Sequence, residues 1–522
     1  MKATKSFLYR YQAVRRLWLL PAFLGGWLCV TSAYERPNVL WIFVEDLSPF
    51  MGCYGDPVNQ SSTPNLDRLA GQGVLFERAY ATASVCSASR SAIITGVMQT
   101  STGTHQHRSS RTVEGVIVPE NLRIYLPEGM QTIPELMREA GYFTFNSGKD
   151  DYNFHYNRHE LYSVGTAHDY EPSMNGWQGN KATHSTTHRV PESAWTRDVW
   201  DSRPSNEQPW FGQIMLWGGK AGNRYTPKSA LLQADAVPLP PYFPDTATYR
   251  EAWTNHYNAV RGVDAQVGDI LAELEADGEL DQTVIFFFSD HGSNTSLRHK
   301  QFLYEGGVHI PLIIAGGHEW IESGKVFDGL VSSLDISATT LALGHASMPN
   351  YLDGENLLSH EFKGHSYVFS ARDRCDYTID AIRSARSESF RYIRNYHPER
   401  SRLQAQYRDH LPIVTEMKRL HSEGKLTDYQ AAHWFGKRPL EELYDLSKDP
   451  HQVENLAADP RYTCVLEAHR LALGDWLLAS GDKGLAPEDL TQLRATYELW
   501  KDRPIFRDAD INPEYDAFLP VP

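Results

Sequence analysis

Alternating apolar runs and helical patterns predict an α/β chain: a large mixed sheet covered by helices on both faces, with a smaller α+β subdomain at the C-terminal end. Three observations carry this expectation. Asn38 to Val44 and Thr283 to Phe288 are short runs, apolar almost throughout, so both faces of each strand should be buried. Between such runs lie segments of helical period, above all Glu251 to Leu274, where Val260, Val263, Val267, Ile270, Leu271 and Leu274 recur on one stripe. Two of the runs end in polar clusters, Glu45-Asp46 and Ser289-Asp290-His291-Gly292, and strand ends are where sheets of this kind hold ligands.

In chain order, the first 33 residues read as an export signal. Lys2, Lys5, Arg10, Arg15 and Arg16 form a basic start, Leu17 to Val30 an apolar stretch, and Thr31-Ser32-Ala33 a small-residue cleavage point. The stretch is short for a membrane span and is followed by polar Tyr34-Glu35-Arg36-Pro37. An exported, periplasmic or extracellular protein with no stable membrane insertion after cleavage is the expectation. The strand Asn38 to Val44 follows, then a helix introduced by Ser62-Thr63-Pro64-Asn65, running to about Ala70 and stopped by Gly71 and Gly73. Ile133 to Ala140 is a further helix, halted by Gly141 before a strand over Tyr142 to Asn146, and Trp210 to Trp217 is the next strand. The Asp335-Ile336-Ser337 segment and the strand-like Ser366 to Ser370 continue the large domain, taken as residues 34–387. Beyond Glu388 the character changes. Tyr392 to Asn395 reads as a strand, Leu403 to Leu420 is irregularly amphipathic and charged, and Val465 to Leu478 is a helix, giving a smaller subdomain over residues 388–522.

With 41% hydrophobic and 22% charged residues, the chain is of soluble globular composition and long enough for an extensive core. Loss of the five basic residues of the signal takes the formal charge from −15 to −20. Such a field repels polyanions, which argues against nucleic acid as a partner and requires a local basic pocket for any anionic substrate. Cys53, Cys86, Cys375 and Cys464 are too few for a disulfide scaffold and lack zinc-site spacing.

Glu45, Asp46, Asp290 and His291 together suit a hard divalent cation, calcium or magnesium. Cys86 and Arg90 are four residues apart in Cys86-Ser87-Ala88-Ser89-Arg90, which places both on one face of a helix whose free N-terminal amides face an anion. Taken alone, this cysteine reads equally as a thiolate nucleophile, a structural residue or a metal neighbour. Lys149 after Gly148, and Lys300 ahead of Glu305-Gly306-Gly307, are candidates to clamp an anion with Arg90. His105 and His107 follow the Cys86 helix closely enough to line a substrate pocket, and Arg372 and Arg374 flank Asp373 as a second charged set for sugar hydroxyls or an anionic group.

The run from Cys86 to Gly96, Asp290-His291-Gly292, Lys300 with Glu305-Gly306-Gly307, and Glu442-Leu443-Tyr444-Asp445-Leu446 resemble the signatures of the type I sulfatases, from Pro37 to about Pro460. Glu45-Asp46-Leu47-Ser48-Pro49, Lys149 to Phe154 and Arg372-Asp373-Arg374 resemble the heparan N-sulfatase-like branch of that alkaline phosphatase superfamily family. The resemblance implies an alkaline-phosphatase-like fold, one calcium ion held by Glu45, Asp46, Asp290 and His291, and a Cα-formylglycine made from Cys86 by a maturation enzyme. It further implies hydrolysis of sulfate esters or sulfamates on a sulfated sugar or oligosaccharide, with Arg90, Lys149 and Lys300 as sulfate-site cations. Two departures stand out. Asp151 occupies the usual histidine position of Gly-Lys-x-His, and Trp217-Gly218-Gly219-Lys220 replaces a histidine expected after the Trp210 strand, with Lys220 or a loop histidine, His184 or His188, as the substitute. A phosphatase or phosphodiesterase of the same superfamily and a non-enzymatic sulfated-glycan binder are the competing readings.

Overall fold

The computed structural model describes residues 36–107, 123–163, 200–317, 319–502 and 513–518. The expected signal peptide, His184 and His188 lie outside them. The strands are β1 (Asn38–Val44), β2 (Gly73–Tyr80), β3 (Phe143–Ser147), β4 (Trp210–Leu216), β5 (Thr283–Ser289), β6 (His309–Ile310), β7 (Leu312–Ala315), β8 (Lys325–Ser332), β9 (Val368–Arg372), β10 (Ile382–Arg386), β11 (Phe390–Asn395) and β12 (Glu441–Asp445).

The first eight form a mixed sheet in the order β3-β4-β1-β5-β7-β2-β6, with β8 also paired to β2. β3, β4, β1 and β5 run parallel, in register from Val39 opposite Phe211 and Val284 to Val44 opposite Leu216 and Ser289. Side chains alternate across a pleated strand, so β1 supplies both cores. Val39, Trp41 and Phe43 face a cluster with Ile93, Met137, Phe288 and Ile336. Leu40, Ile42 and Val44 face another, with Val260, Val263, Val267 and Ile270 from the long helix Ala247–Ala276. Two buried faces explain why β1 reads as a continuous apolar run.

β9 to β12 form an antiparallel sheet in the order β12-β11-β10-β9, covered by Leu466 and Leu473 of the helix Thr463–Ser480. The Ser366 to Ser370 run contributes to this small sheet. It becomes β9, because the chain reverses at a Cys375–Thr378 turn and returns as β10. The small sheet thus straddles residue 388, and it belongs to the same compact unit as the large one, residues 36–522. β10 escapes sequence patterning because Arg383 and Arg386 are buried within it, matched by Asp373, Asp482 and Glu305. β2 escapes it because Glu77 and Arg78 interrupt its apolar pattern where the register with β8 shifts. Among the described residues no helix is long and apolar enough to cross a membrane.

Candidate active site

The four parallel strands end at one edge, and each leads into site residues. Glu45 and Asp46 follow β1, Lys149 and Asp151 follow β3, Lys220 follows β4, and Asp290 and His291 follow β5. Backbone bonds lock these ends together: Glu45 N–H donates to Leu216 O (2.9 Å) and Asp290 N–H to Val44 O (3.1 Å). Asp46 turns sharply out of its strand at φ 56°, a left-handed conformation that aspartate tolerates better than most residues. Its N–H donates to Asp290 Oδ1 at 2.9 Å, joining the two carboxylate-bearing ends.

Cys86 opens the helix Cys86–Thr95, all ten residues of which are buried. The small serines and alanines of this helix allow a close approach to the sheet edge, and Ser89 Oγ donates to Asp290 O at 2.7 Å. No side chain caps the helix start, so its first amides remain directed at the space around Cys86. Cys86 Sγ lies 3.1 Å from Lys300 Nζ, 3.4 Å from His291 Nε2, and 3.8 Å from both Lys220 Nζ and Asp46 Oδ1. Burial would raise the thiol pKa, but Lys149, Lys220, Lys300 and His291 bring it well below its ordinary value. Whatever atom sits here is therefore held in a field that favours a negative charge.

Arg90, one turn on, is buried. Its Nε donates to Asp290 Oδ2 (3.1 Å), and further nitrogens donate to Lys149 O (3.1 Å) and Glu45 Oε1 (3.3 Å). The guanidinium lies over the Phe43 ring at 4.1 Å. Lys149 also pairs with Glu45 and, at 2.7 Å, with Asp151 Oδ2. Burial lowers Lys149 to about 7 despite the pull of Cys86 and Glu45. Lys220 pairs with Glu45 Oε2 at 2.5 Å and is pushed upward, Cys86 and Glu45 outweighing burial. It is a fixed positive charge and a poor proton donor near neutrality.

Asp46, Asp290, His291 and Cys86 each offer a ligand atom within 4.8 Å of the others. His291 supplies a test of whether a cation fits. Its Nδ1 faces Gly292 O at 2.7 Å, a group that can only accept, while Nε2 faces Asp46 Oδ1 at 3.1 Å. With Nδ1 donating to Gly292 O, Nε2 is left to share a cation with Asp46 or, in a ring kept charged where burial is outweighed by Asp290 and Asp46, to donate to Asp46 itself, so the pair fits a cation without requiring one. Asp46 Oδ2 is buried without a hydrogen-bond donor, which agrees. Glu45 stands slightly apart, its carboxylate engaged by Lys149, Lys220 and Arg90.

The remaining sequence candidates lie apart from this group, His107, Arg372 and Arg374 buried and His105 half-buried. His105 and Arg374 line a cavity of 480 Å³ with Gln106, Asp373 and Glu488. Burial, helped by Arg383, pushes His105 down to about 3, so it is neutral and adds no charge for an anion. His107 Nδ1 is 3.1 Å from Asp376 Oδ2. Arg372 pairs with Asp380 at 3.1 Å and Arg374 with Glu488 at 2.7 Å, so both guanidinium charges are matched by carboxylates.

Sequence reasoning missed why glycines follow β4. A Cβ on Gly218 would lie 2.3 Å from Glu45 O, and one on Gly219 2.2 Å from Asp46 O. Gly219 N–H also donates to Glu45 O at 2.9 Å. The pair lets the Lys220 turn press against the carboxylate-bearing loop, leaving no room for a larger residue. Gly219→Ala is expected to lower turnover about 100-fold by displacing Asp46, with a much smaller effect on the melting temperature; turnover within threefold of wild type would refute the packing argument. Arg408 and Gln301, at the Lys300 loop, were also missed, since only the tertiary fold brings them to the site.

A mixed sheet of this order, with a buried cysteine ringed by lysines beside carboxylates and a histidine that could hold a cation, is a fold of the alkaline-phosphatase-like class. The family model described as Sulfatase matches residues 37–346. The ulvan-active sulfatase of Formosa agariphila is 32% identical over 470 residues, covering 87% of this chain and 77% of that protein. Human N-sulphoglucosamine sulphohydrolase is 26% identical over 498 residues, covering 90% and 96%. The solved structure of a 2-O GAG sulfatase superposes with a TM-score of 0.60 at 20% identity, covering 88% of this chain and 96% of its own. The chain belongs to the sulfatase family and is a sulfuric ester hydrolase.

Proposed function

We propose that this chain is an exported sulfatase that removes sulfate from sulfated saccharides, as O-sulfate esters and also as sulfamates, after Cys86 is converted to formylglycine by a maturation enzyme. The observation that carries the reading is the convergence of Lys300, Lys220 and His291 on the Cys86 side chain at the start of a buried helix. The names of the ulvan-active and N-sulphoglucosamine relatives support the saccharide class, and Asp46-Leu47-Ser48-Pro49 with the Lys149 to Phe154 run supports the heparan N-sulfatase-like branch. Residues 1–33 are proposed as the export signal and residues 34–387 as carrying the chemistry, with the smaller subdomain, expected over 388–522, also taking in β9 and β10.

Asp46, Asp290 and His291, with Glu45 beside them, would hold one calcium ion, or magnesium as the alternative hard cation. When bound, the ion supplies Lewis-acid neutralisation of sulfate oxygen, and the formylglycine hydrate supplies a nucleophilic hydroxyl together with a second one. The chain's own residues do the rest. Glu45, Asp46, Asp151 and Asp290 balance Arg90, Lys149, Lys220 and Lys300, so a divalent ion leaves the pocket positive and matched to an anionic substrate. Lys300 and Lys149 receive the sulfate oxygens, while Arg90 orients Asp290 and Glu45 from behind. Asp290 takes the proton of the attacking hydroxyl, and Asp151 takes the proton of the second hydroxyl as sulfate is expelled. Lys220, the least buried of the four cations, donates a hydrogen bond to the departing oxygen or nitrogen, which takes its proton from solvent water. His105, His107, Arg372 and Arg374, expected on the saccharide side, would support that side from behind, since the two arginines are already paired with carboxylates and His107 is held by Asp376.

Two measurements test this. The peptide spanning Cys86 from protein coexpressed with the maturation enzyme should be about 18 Da lighter than its thiol form, and an unaltered thiol mass would refute formylglycine. Free sulfate should then be released from a panel of ulvan oligosaccharides and N- and 6-O-sulfated glucosamine. Release of phosphate from a phosphomonoester, or of the alcohol from a phosphodiester, without sulfate release would favour the phosphatase or phosphodiesterase reading instead.

A further inference from the structure

We propose that Tyr407 is a specificity-determining residue that carries the sugar ring of the substrate, held in place by His107 and Asp376. The proposal rests on the saccharide sulfatase reading above. Tyr407 comes from the segment between β11 and the helix Pro412–Ser422, about a hundred residues past the Lys300 loop.

Three contacts fix where it stands. Its neighbours Gln406 and Arg408 are both 2% exposed. Arg408 donates to Lys300 O and Asn294 O, each at 3.0 Å, and to Gln406 Oε1 at 3.0 Å. The backbone on either side of Tyr407 is thereby tied to the loop whose Lys300 Nζ lies 3.1 Å from Cys86 Sγ. Tyr407 is half-buried and packs against Ala83, Val85 and Ala88, which bracket Cys86 at the start of its helix, and against Cys375.

A second ring stands behind it. His107 stacks on Tyr407 with centroids 6.0 Å apart and planes 28° apart. His107 is held by Asp376 Oδ2 at 3.1 Å, and its N–H donates to Arg374 O at 2.9 Å. Cys375 Sγ lies 3.5 Å from His107 Nδ1 and accepts from Gln301 Nε2 at 3.0 Å. Tyr407 is therefore a backed, pre-ordered platform beside the reacting position, which is what low-entropy recognition by an aromatic side chain requires.

The chemistry fits the neutral part of a sulfated sugar. The cation cluster engages the sulfate, and what remains is a ring with apolar C–H faces and outward hydroxyls. The C–H face packs on an aromatic ring, and the phenol hydroxyl, kept protonated because burial outweighs the pull of Lys300, donates to a sugar hydroxyl.

The test uses the full, matured chain and two probes, ulvan oligosaccharides and 4-nitrophenyl sulfate, whose leaving group is a flat aromatic ring rather than a sugar. Tyr407→Ala should lower kcat/KM for the oligosaccharide about tenfold more than for the aryl sulfate, mostly through KM. Tyr407→Phe should restore most of that ratio, and Tyr407→Leu, which keeps the apolar packing on Val85 and Ala88, should behave like the alanine variant even if the latter folds poorly. An unchanged ratio in both Tyr407→Ala and Tyr407→Leu would overturn the assignment while leaving the sulfatase reading intact. Aryl sulfatase activity in the wild type with no activity on the oligosaccharide would overturn the Tyr407 assignment for that sugar class. No release from either probe by matured wild type would instead strike the sulfatase reading itself.

Discussion

Cys86→Ser is expected to abolish multiple turnover, with sulfate release falling by about four orders of magnitude or more, as for loss of other enzymatic nucleophiles. The substitution changes little sterically: Cys86 is fully buried at the first turn of its helix, and serine is the smaller residue. Lys300, Lys220 and His291 still surround the side chain and still favour a negative oxygen there. What serine lacks, against the proposed formylglycine hydrate, is the second hydroxyl. A serine that attacks sulfur becomes an ordinary sulfate ester with no neighbouring hydroxyl to expel the sulfate. The variant should therefore consume at most about one equivalent of substrate and retain sulfate on the peptide containing residue 86. Mass spectrometry of that peptide after incubation with substrate is the check. Sustained release of sulfate at more than a hundredth of the wild-type rate would show that residue 86 is not the nucleophile.

The sequence discloses the parts of this molecule whose signals are local. β1 and β5 read correctly because each is buried on both faces and ends in carboxylates, and the 30-residue helix Ala247–Ala276 reads correctly because its stripe repeats over many turns. Cys86, Arg90 and Lys300 were legible as a motif, and the fold brings them together with the four strand ends. The small sheet was harder. Buried Arg383 and Arg391 sit in strands where apolar residues are the usual signal, and their ion pairs with Asp373, Asp482 and Glu305 form only in the folded chain. Trp217-Gly218-Gly219-Lys220 looked like the loss of a histidine. The structure supplies a reason for the glycines, the 2.2 to 2.3 Å approach a Cβ would make to the Glu45 and Asp46 carbonyls, which no single sequence reveals. Tyr407 and Arg408 had no local signature at all, since their importance comes from long-range contacts with the Lys300 loop.

Arg90→Met should give the largest stability loss of any single change at the site. Arg90 is 1% exposed, and its guanidinium touches Asp290, Glu45 and the Lys149 carbonyl at 3.1 to 3.3 Å. Removing one partner from a buried charge group leaves the others uncompensated, which typically destabilises by about 3 to 5 kcal/mol. The side-chain volume and the contact with Phe43 are largely kept by methionine, so the deficit measured by urea unfolding would report on charge rather than a cavity. Asp290, already raised by burial and held down in part by Arg90, should protonate more readily in the variant. Its sulfatase activity should therefore fall off at a higher pH on the acid side than in wild type, because protonated Asp290 can neither direct the nucleophile nor contribute to a cation site. Adding Asp290→Asn to Arg90→Met removes the carboxylate left stranded, Glu45 still being paired with Lys149 and Lys220, and should recover part of the stability without recovering activity. A loss below about 1 kcal/mol for Arg90→Met, the range of exposed ion pairs, would mean that Lys149 and Lys220 already satisfy these carboxylates, and that Arg90 is dispensable to the charge balance on which the site depends.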